Sequence, residues 1–365
     1  MKRCHIAYAA SAVAALIGAG LGAAPAAAAH QTLMVRQGES IQQAVNRAQP
    51  GDTVLVLPGT YKESVTINTP QVTLRGLGGR TVIEPAVKTV AGKAPRTDTK
   101  ATKSCAEGGN GICVIGTKKK NVEGVTVADL MVTGFARAGV FGMATDGMTV
   151  RGVQAVKNAV WGIAQERSVR GHIFGNYAQG NGDAGVFLAN TITEEAGALD
   201  TRRTVVERNR LEDNRIGVTV RRLRNLAVAE NHITGNCAGV FVVGDENRPK
   251  AGALEVAYNN VSRNNKYCPK TDRLPAIQGS GIVLTGTEKT VVDGNRVVGN
   301  TGTSPLSGGI VLFKSFVGVT NDDNRVSDNV LDGNGPADLV NTETKGKGNT
   351  FRHNACRASK PSGLC

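Results

Sequence analysis

Three residues stand one place after a recurring asparagine: Tyr177 after Asn176, Arg210 after Asn209 and His232 after Asn231. An arginine beside two proton-carrying side chains suits chemistry next to a carboxylate. The guanidinium neutralises a uronate carboxylate through a forked contact, so charge can build there while the C5 proton leaves. A histidine or a tyrosine can carry that proton. Asn260, Arg296 and Val330 fill the same place further along. The next residue is apolar each time (Ala178, Leu211, Ile233, Val261, Val297 and Leu331), so alternation turns the first of each pair outward. A solvated corner with arbitrary polar residues has the same pattern. Tyr177, Arg210 and His232 are therefore catalytic candidates for a lyase or C5-epimerase, weighed against that plainer reading.

A second outward series lies one residue past each Gly–apolar pair: Phe141, Ala164, Phe187, Thr219, Phe241, Val283 and Val311. Arg221, Arg222 and Lys314 follow it. An apolar strip edged by cations suits an acidic sugar chain, with rings on Phe187 and Phe241 and carboxylates on Arg221, Arg222 and Lys314. The same strip would serve as a floor beneath the long insertions 190–203, 244–253 and 265–280. Aromatic residues make up only 4% of the chain, with Trp161 the single tryptophan, and this favours the floor.

Both series require a repeat to carry them. The pairs Gly111-Ile112, Gly139-Val140, Gly162-Ile163, Gly185-Val186, Gly217-Val218, Gly239-Val240, Gly281-Ile282 and Gly309-Ile310 step by 28, 23, 23, 32, 22, 42 and 28 residues. Asn176, Asn209, Asn231, Asn259, Asn295 and Asn329 keep pace, each after a short alternating run such as "TVVERN" or "LAVAEN". Val, Ile and Thr dominate, and helical spacing is absent. One such unit cannot bury its apolar face alone; stacked units share a core. A period near 22 with very short strands and Asn/Gly corners predicts a parallel β-helix of roughly ten coils, since the Leu ladder of a leucine-rich repeat is missing. Asn231 and Asn236 should sit at corners in left-handed backbone and bond one another up the stack, Gly239 should turn the chain, and Val240 and Val242 should face inward.

The start of the stack is also marked. Ile41, Ala44, Val45 and Ala48 share one helical face, which would close the open end of the solenoid. "QPGDT" is a turn into a strand over 53–57, and "PGTY" is the next corner. Capping helix, "PGDTV" strand, "PGTY" corner and Asn/Gly-punctuated coils together resemble the secreted right-handed parallel β-helix proteins of the pectin-lyase-like superfamily. The resemblance spans nearly all of the chain after the leader. It implies an all-β solenoid with a short N-terminal capping helix. That superfamily holds lyases, hydrolases, epimerases and adhesins, so fold alone assigns no activity. Its known active-site strings are missing: "NDD" (321–323), "RGHIF" (170–174) and "NRIGV" (214–218) are the nearest pieces, and none matches. No acidic calcium row is evident either.

Residues 1–29 read as an export signal, with Lys2 and Arg3 ahead of an apolar run and small residues before His30, leaving 30–365 as one domain. Export fits six remaining cysteines, paired by proximity as Cys105–Cys113, Cys237–Cys268 and Cys356–Cys365. With no C-x-x-C pair and few histidines, neither a metal site nor a cofactor is expected. No later stretch is long and apolar enough to span a bilayer. Net charge is +13, or +11 once Lys2 and Arg3 leave with the signal. A basic secreted, extracellular chain points to an anionic partner such as an acidic polysaccharide or cell-wall polymer; no nucleic-acid motif is present. The sequence leaves two functions standing. One is recognition of an acidic polysaccharide, with or without lyase or epimerase chemistry. The other is a non-catalytic extracellular scaffold.

Overall fold

The computed structural model of the protein describes residues 30–87, 104–117, 119–272 and 274–365. The segment 1–29 read as an export signal lies outside them. The chain winds as a right-handed parallel β-helix, and each regular coil contributes three strands. A first short row includes His172–Phe174, Glu255–Ala257 and Val291–Asp293. A second includes Tyr177–Gln179, Arg210–Glu212 and His232–Thr234. The third face is made of longer strands such as Ala184–Ala189, Ile216–Arg221 and Ala238–Val243. The long strands stack in an 11-stranded sheet, and the two short rows belong to a 20-stranded one.

Register follows the alternation. In the second short row the inward centres Ala178, Leu211, Ile233 and Val261 pair rung to rung and are fully buried. On the long face the inward column Ile163, Val186, Val218, Val240, Ile282 and Ile310 is equally closed. A three-residue strand turns only its middle side chain into the core, so the core depends on stacking, as the repeat predicts.

Asparagine sets the corners. Asn231 donates from Nδ2 to Asn259 Oδ1 at 2.9 Å and to the Val206 carbonyl at 3.0 Å. Its Oδ1 accepts from the main-chain and side-chain nitrogens of Asn209, both at 3.0 Å. The same linkage runs from Asn176 to Asn354. A second ladder, at the corner into the long strand, runs from Asn158 through Asn181, Asn214, Asn236, Asn264 and Asn300 to Asn334. Buried amides must be bonded on both sides, and one Asn per rung does this with no gap. The left-handed residue is the one before the asparagine: Arg208 and Glu230 ahead of the first ladder, Asp213 and Gly235 ahead of the second. The asparagine is thereby left with its side chain turned into the corner, where both neighbouring rungs can reach it.

Gly239 differs from its expected role. It lies inside the strand Ala238–Val243 and makes no turn. A Cβ there would come within 2.6 Å of the Gly281 carbonyl, and the stacked glycines 139, 162, 185, 217 and 281 meet the same obstacle from the next rung. The column admits only a residue without a side chain because backbone passes over backbone.

The N-terminal end is closed as expected. The helix Ile41–Arg47 buries Ile41, Ala44 and Val45, with Ala48 just beyond. Glu63 caps it, accepting from the amides of Ile41 at 2.7 Å and Gln42 at 3.1 Å. The "PGTY" corner is tighter than the sequence suggests, because Gly59–Lys62 is already a strand. All three proximity disulfides form, with Cα separations of 5.7, 6.0 and 5.5 Å for Cys105–Cys113, Cys237–Cys268 and Cys356–Cys365. Cys237 and Cys268 follow Asn236 and Asn264, neighbouring rungs of the second ladder, so the bridge ties an insertion to its own corner.

Candidate functional site

The second short row stacks Tyr177 on Arg210, Arg210 on His232, His232 on Asn260 and Asn260 on Arg296. The corners flanking Tyr177, Arg210 and His232 are too short to fold over these side chains. Arg210, His232, Asn260 and Arg296 are exposed, and Tyr177 is partly so. The three catalytic candidates thus lie side by side on one open face, about 4.8 Å apart from rung to rung.

Arg210 already has a carboxylate. Its Nε donates to Glu212 Oε1 at 2.5 Å, and the phenol of Tyr177 donates to Glu212 Oε2 at 3.2 Å. The guanidinium carbon sits 5.6 Å from the Tyr177 ring centre. Glu212 is the buried member of this trio, at 9% exposure. The hydrogen bond and charge of Glu212 hold Arg210 more firmly protonated than usual. Partial burial, then the Glu212 charge, pushes the Tyr177 phenol above its ordinary range. Tyr177 is therefore a proton donor rather than a base at neutral pH. His232, on the far side of Arg210, has no side-chain hydrogen bond among the described residues. Sequence reasoning missed Glu212 because it looked only at the residue after each asparagine; Glu212 is the other outward position of the same strand.

The long face is built on the same alternation but is closed. Phe187 and Phe241 are 6% and 3% exposed, and Val283 and Val311 are fully buried. Phe187 stacks on Trp161 with centres 4.5 Å apart, and Thr219 separates it from Phe241 by one rung on each side. This corrects the assignment of Phe187 and Phe241 to substrate binding: a covered ring cannot stack on a sugar. They belong to a second apolar cluster, the floor beneath the insertions.

The cations of that face also serve the insertions. Arg222 is 4% exposed and bonds Glu195 in one loop at 2.8 Å and Asp245 in the next. It cannot meet a ligand from outside. Lys250 repeats the device one loop on, with Nζ bonded to Asp322 at 2.6 Å and to the Thr320 carbonyl. Burial opposes ionisation of Asp322, but hydrogen bonds from Lys250 and Thr320 prevail and hold its pKa at about 2. Arg221 donates to the Ile192 carbonyl at 3.3 Å. Lys314 is exposed, three rungs from the column position of Arg222 and about 14 Å away, so these residues do not converge on one groove. Glu166 lies under the same cover, bonded to the Ile192 amide at 3.2 Å, and burial pushes its carboxyl above the usual range.

Among the described residues, no three His, Cys, Asp or Glu side chains gather as metal ligands, and no helix is long and apolar enough to cross a membrane.

The family model described as "Right handed beta helix region" matches residues 97–253. No curated protein matches the sequence. Among solved structures, the chain is similar to the A-module of the Azotobacter vinelandii mannuronan C-5 epimerase AlgE6. The identity is 18%, the TM-score 0.52, and the match covers 87% of this chain and 90% of that one. It is similar to the periplasmic alginate epimerase AlgG at 15% identity and a TM-score of 0.51, covering 88% and 83%. A DFA-IIIase from Arthrobacter chlorophenolicus A6 aligns at 13% identity and a TM-score of 0.57, covering 86% and 79%. Likenesses at such identities establish the fold and leave the activity open.

Proposed function

We propose that this right-handed parallel β-helix recognises an acidic polysaccharide along its bare short-strand faces. The observation that carries this reading is the row Tyr177–Arg210–His232–Asn260–Arg296, stacked in register and exposed at every position but the half-buried Tyr177. A polymer lying along the axis would meet a cation, hydrogen-bonding side chains and an aromatic edge at one-rung intervals. The +11 charge left after the signal agrees with an anionic ligand, and exposed contacts of this kind act through screened, salt-sensitive attraction. The similarity to alginate epimerases is in keeping with a glycan ligand.

Lyase or epimerase chemistry is the second reading. It rests on Tyr177, Arg210 and His232 occupying consecutive rungs, with a proton donor on one side of the cation and an imidazole on the other. Its weakness is that Glu212 already neutralises Arg210. The balance favours binding over turnover.

Retention on immobilised pectate and alginate across a salt series, with absorbance of unsaturated product (lyase) and exchange of the C5 proton with solvent deuterium (epimerase) followed in parallel, separates these readings. Salt-sensitive retention on both acidic polymers, none on a neutral glucan and neither product nor exchange support binding alone. Product formation or exchange that His232→Gln and Arg210→Lys abolish supports the second reading. Equal retention on pectate and cellulose at every salt concentration leaves the extracellular scaffold as the function.

A further inference from the structure

A second feature lies on the first short-strand face, around the corner from that row. Strand Leu199–Glu207 pairs with Leu223–Ala229, but the register jumps between Asp200 and Thr204. The extra residues are Arg202 and Arg203, both in left-handed backbone at φ 52 and 67. Consecutive arginines are a costly choice for that region, which favours glycine or asparagine. The bulge is held firmly all the same. Asp200 accepts from the Arg202 amide at 2.8 Å and from Asn225 Nδ2 at 3.1 Å, and Thr201 Oγ1 bonds the Asn225 carbonyl at 2.7 Å. Bulges re-aim side chains, and this one sets Arg203 on the rim of a groove of about 280 Å³.

The floor of the groove is the outward column Val205, Ala227 and Val291, with Glu255 between the last two. Ala227 makes the dip, since larger neighbours stand before and after it. Arg203 and Lys289 mark the two ends of the rim, three rungs or about 14 Å apart. Arg203, Lys289 and Glu255 are exposed, and none has a side-chain partner among the described residues.

We propose that this groove binds an acidic oligosaccharide laid along the solenoid axis. Arg203 and Lys289 take carboxylates at its ends, and Glu255 accepts hydrogen bonds from hydroxyls between them. The two cations are too far apart for one small anion, so the ligand is extended and carries more than one charge. A free carboxylate in mid-groove needs hydrogen-bond donors between the cationic ends, which the ring hydroxyls of a uronate supply and a deoxyribose phosphodiester backbone does not. The small apolar floor accommodates the C–H face of a sugar ring. The proposal rests on the acidic-glycan reading above but places a separate subsite on a different face.

Calorimetric titration with oligogalacturonate at low ionic strength tests it. The arms are wild type, Arg203→Gln/Lys289→Gln, Ala227→Leu and Arg210→Gln/Arg296→Gln. Ala227→Leu fills the dip from an outward position and changes no charge. The expected result is a fall in affinity of tenfold or more for the groove double variant and a similar fall for Ala227→Leu, with unchanged melting temperatures. If both groove variants bind like wild type while Arg210→Gln/Arg296→Gln binds weakly, the groove is overturned and the acidic-glycan reading stands. If wild type does not bind, both fall. If a phosphodiester oligonucleotide binds the groove more tightly than the uronate, the assignment of ligand class is wrong.

Discussion

On the long-strand face the outward column Phe187–Thr219–Phe241–Val283–Val311 is buried, while on the second short-strand face the outward column Tyr177–Arg210–His232–Asn260–Arg296 is open or partly open. Both columns come from one alternation on one solenoid. What separates them is the connection beside each strand. Around Tyr177, Arg210 and His232 the corners hold a left-handed residue and an asparagine and have no length to fold back. Several long strands are flanked by insertions, and Arg222 and Lys250 stitch consecutive insertions together with buried ion pairs. Side-chain direction is set by the strand; access is set by the loops. A phenylalanine and a histidine at equivalent outward positions therefore do different things, one holding loops in place and the other meeting solvent.

The contrast can be broken most strongly at the covered face. Phe241→Ala should cost about 3–5 kcal/mol by emptying a packed site, whereas His232→Ala should stay within about 0.5 kcal/mol. Chemical denaturation of the two variants reads both values, and equal losses would erase the distinction between the faces. Arg222→Ala should cost about 3 kcal/mol, because it strands the Asp245 carboxylate between two loops, while Lys314→Ala should be nearly silent.

The corners give a smaller and sharper contrast. Asn231→Ala removes a rung of the ladder and leaves its buried neighbours unbonded, so a loss of about 2–3 kcal/mol is expected. Asn260→Ala changes an outward asparagine and should cost little. A wild-type melting curve for Asn231→Ala would mean that the ladder contributes no stability.

Acid should act on the stitched loops. The Asp322 carboxyl titrates at about 2 in the folded chain, against an ordinary 3.8. Its contribution is therefore fully present above 3.8, and it is lost as pH falls through that value towards 2. Melting temperatures of wild type and Asp322→Asn should converge across this window. Glu166 has the opposite sign. Burial raises its pKa, so its contribution is present below the unfolded value of 4.5 and is lost as pH rises through the folded one. Glu166→Gln should be neutral or slightly stabilising at pH 7, and the sign of that small shift checks its buried, strained ionisation.

The solenoid was legible because each of its rules is local: alternation, a fixed Asn position and a Gly at the second place of the long strand. The second Asn ladder was legible too, although Asn236 alone among its members was singled out. Asn181, Asn214, Asn236, Asn264, Asn300 and Asn334 each stand five residues after a member of the first series. The row Tyr177–Arg210–His232 could be placed in register for the same reason. What the sequence did not show depends on contacts between distant segments. The pairing of Arg222 with Glu195 and Asp245, the burial of Phe187 and Phe241 and the capture of Arg210 by Glu212 follow from loop paths and rotamers. The double left-handed bulge at Arg202 and Arg203 reads in sequence as one more polar insertion.

The most direct test of the account is where an acidic glycan touches the rod. Affinity for oligogalacturonate should be measured over a salt series for wild type, for Arg210→Gln/Arg296→Gln on the open face and for Lys314→Gln at the edge of the covered one. The account expects the open-face variant to bind at least tenfold more weakly with a flatter salt dependence, and Lys314→Gln to match wild type. Weak binding by Lys314→Gln, with wild-type affinity in the open-face variant, would contradict it and move recognition to the long-strand face.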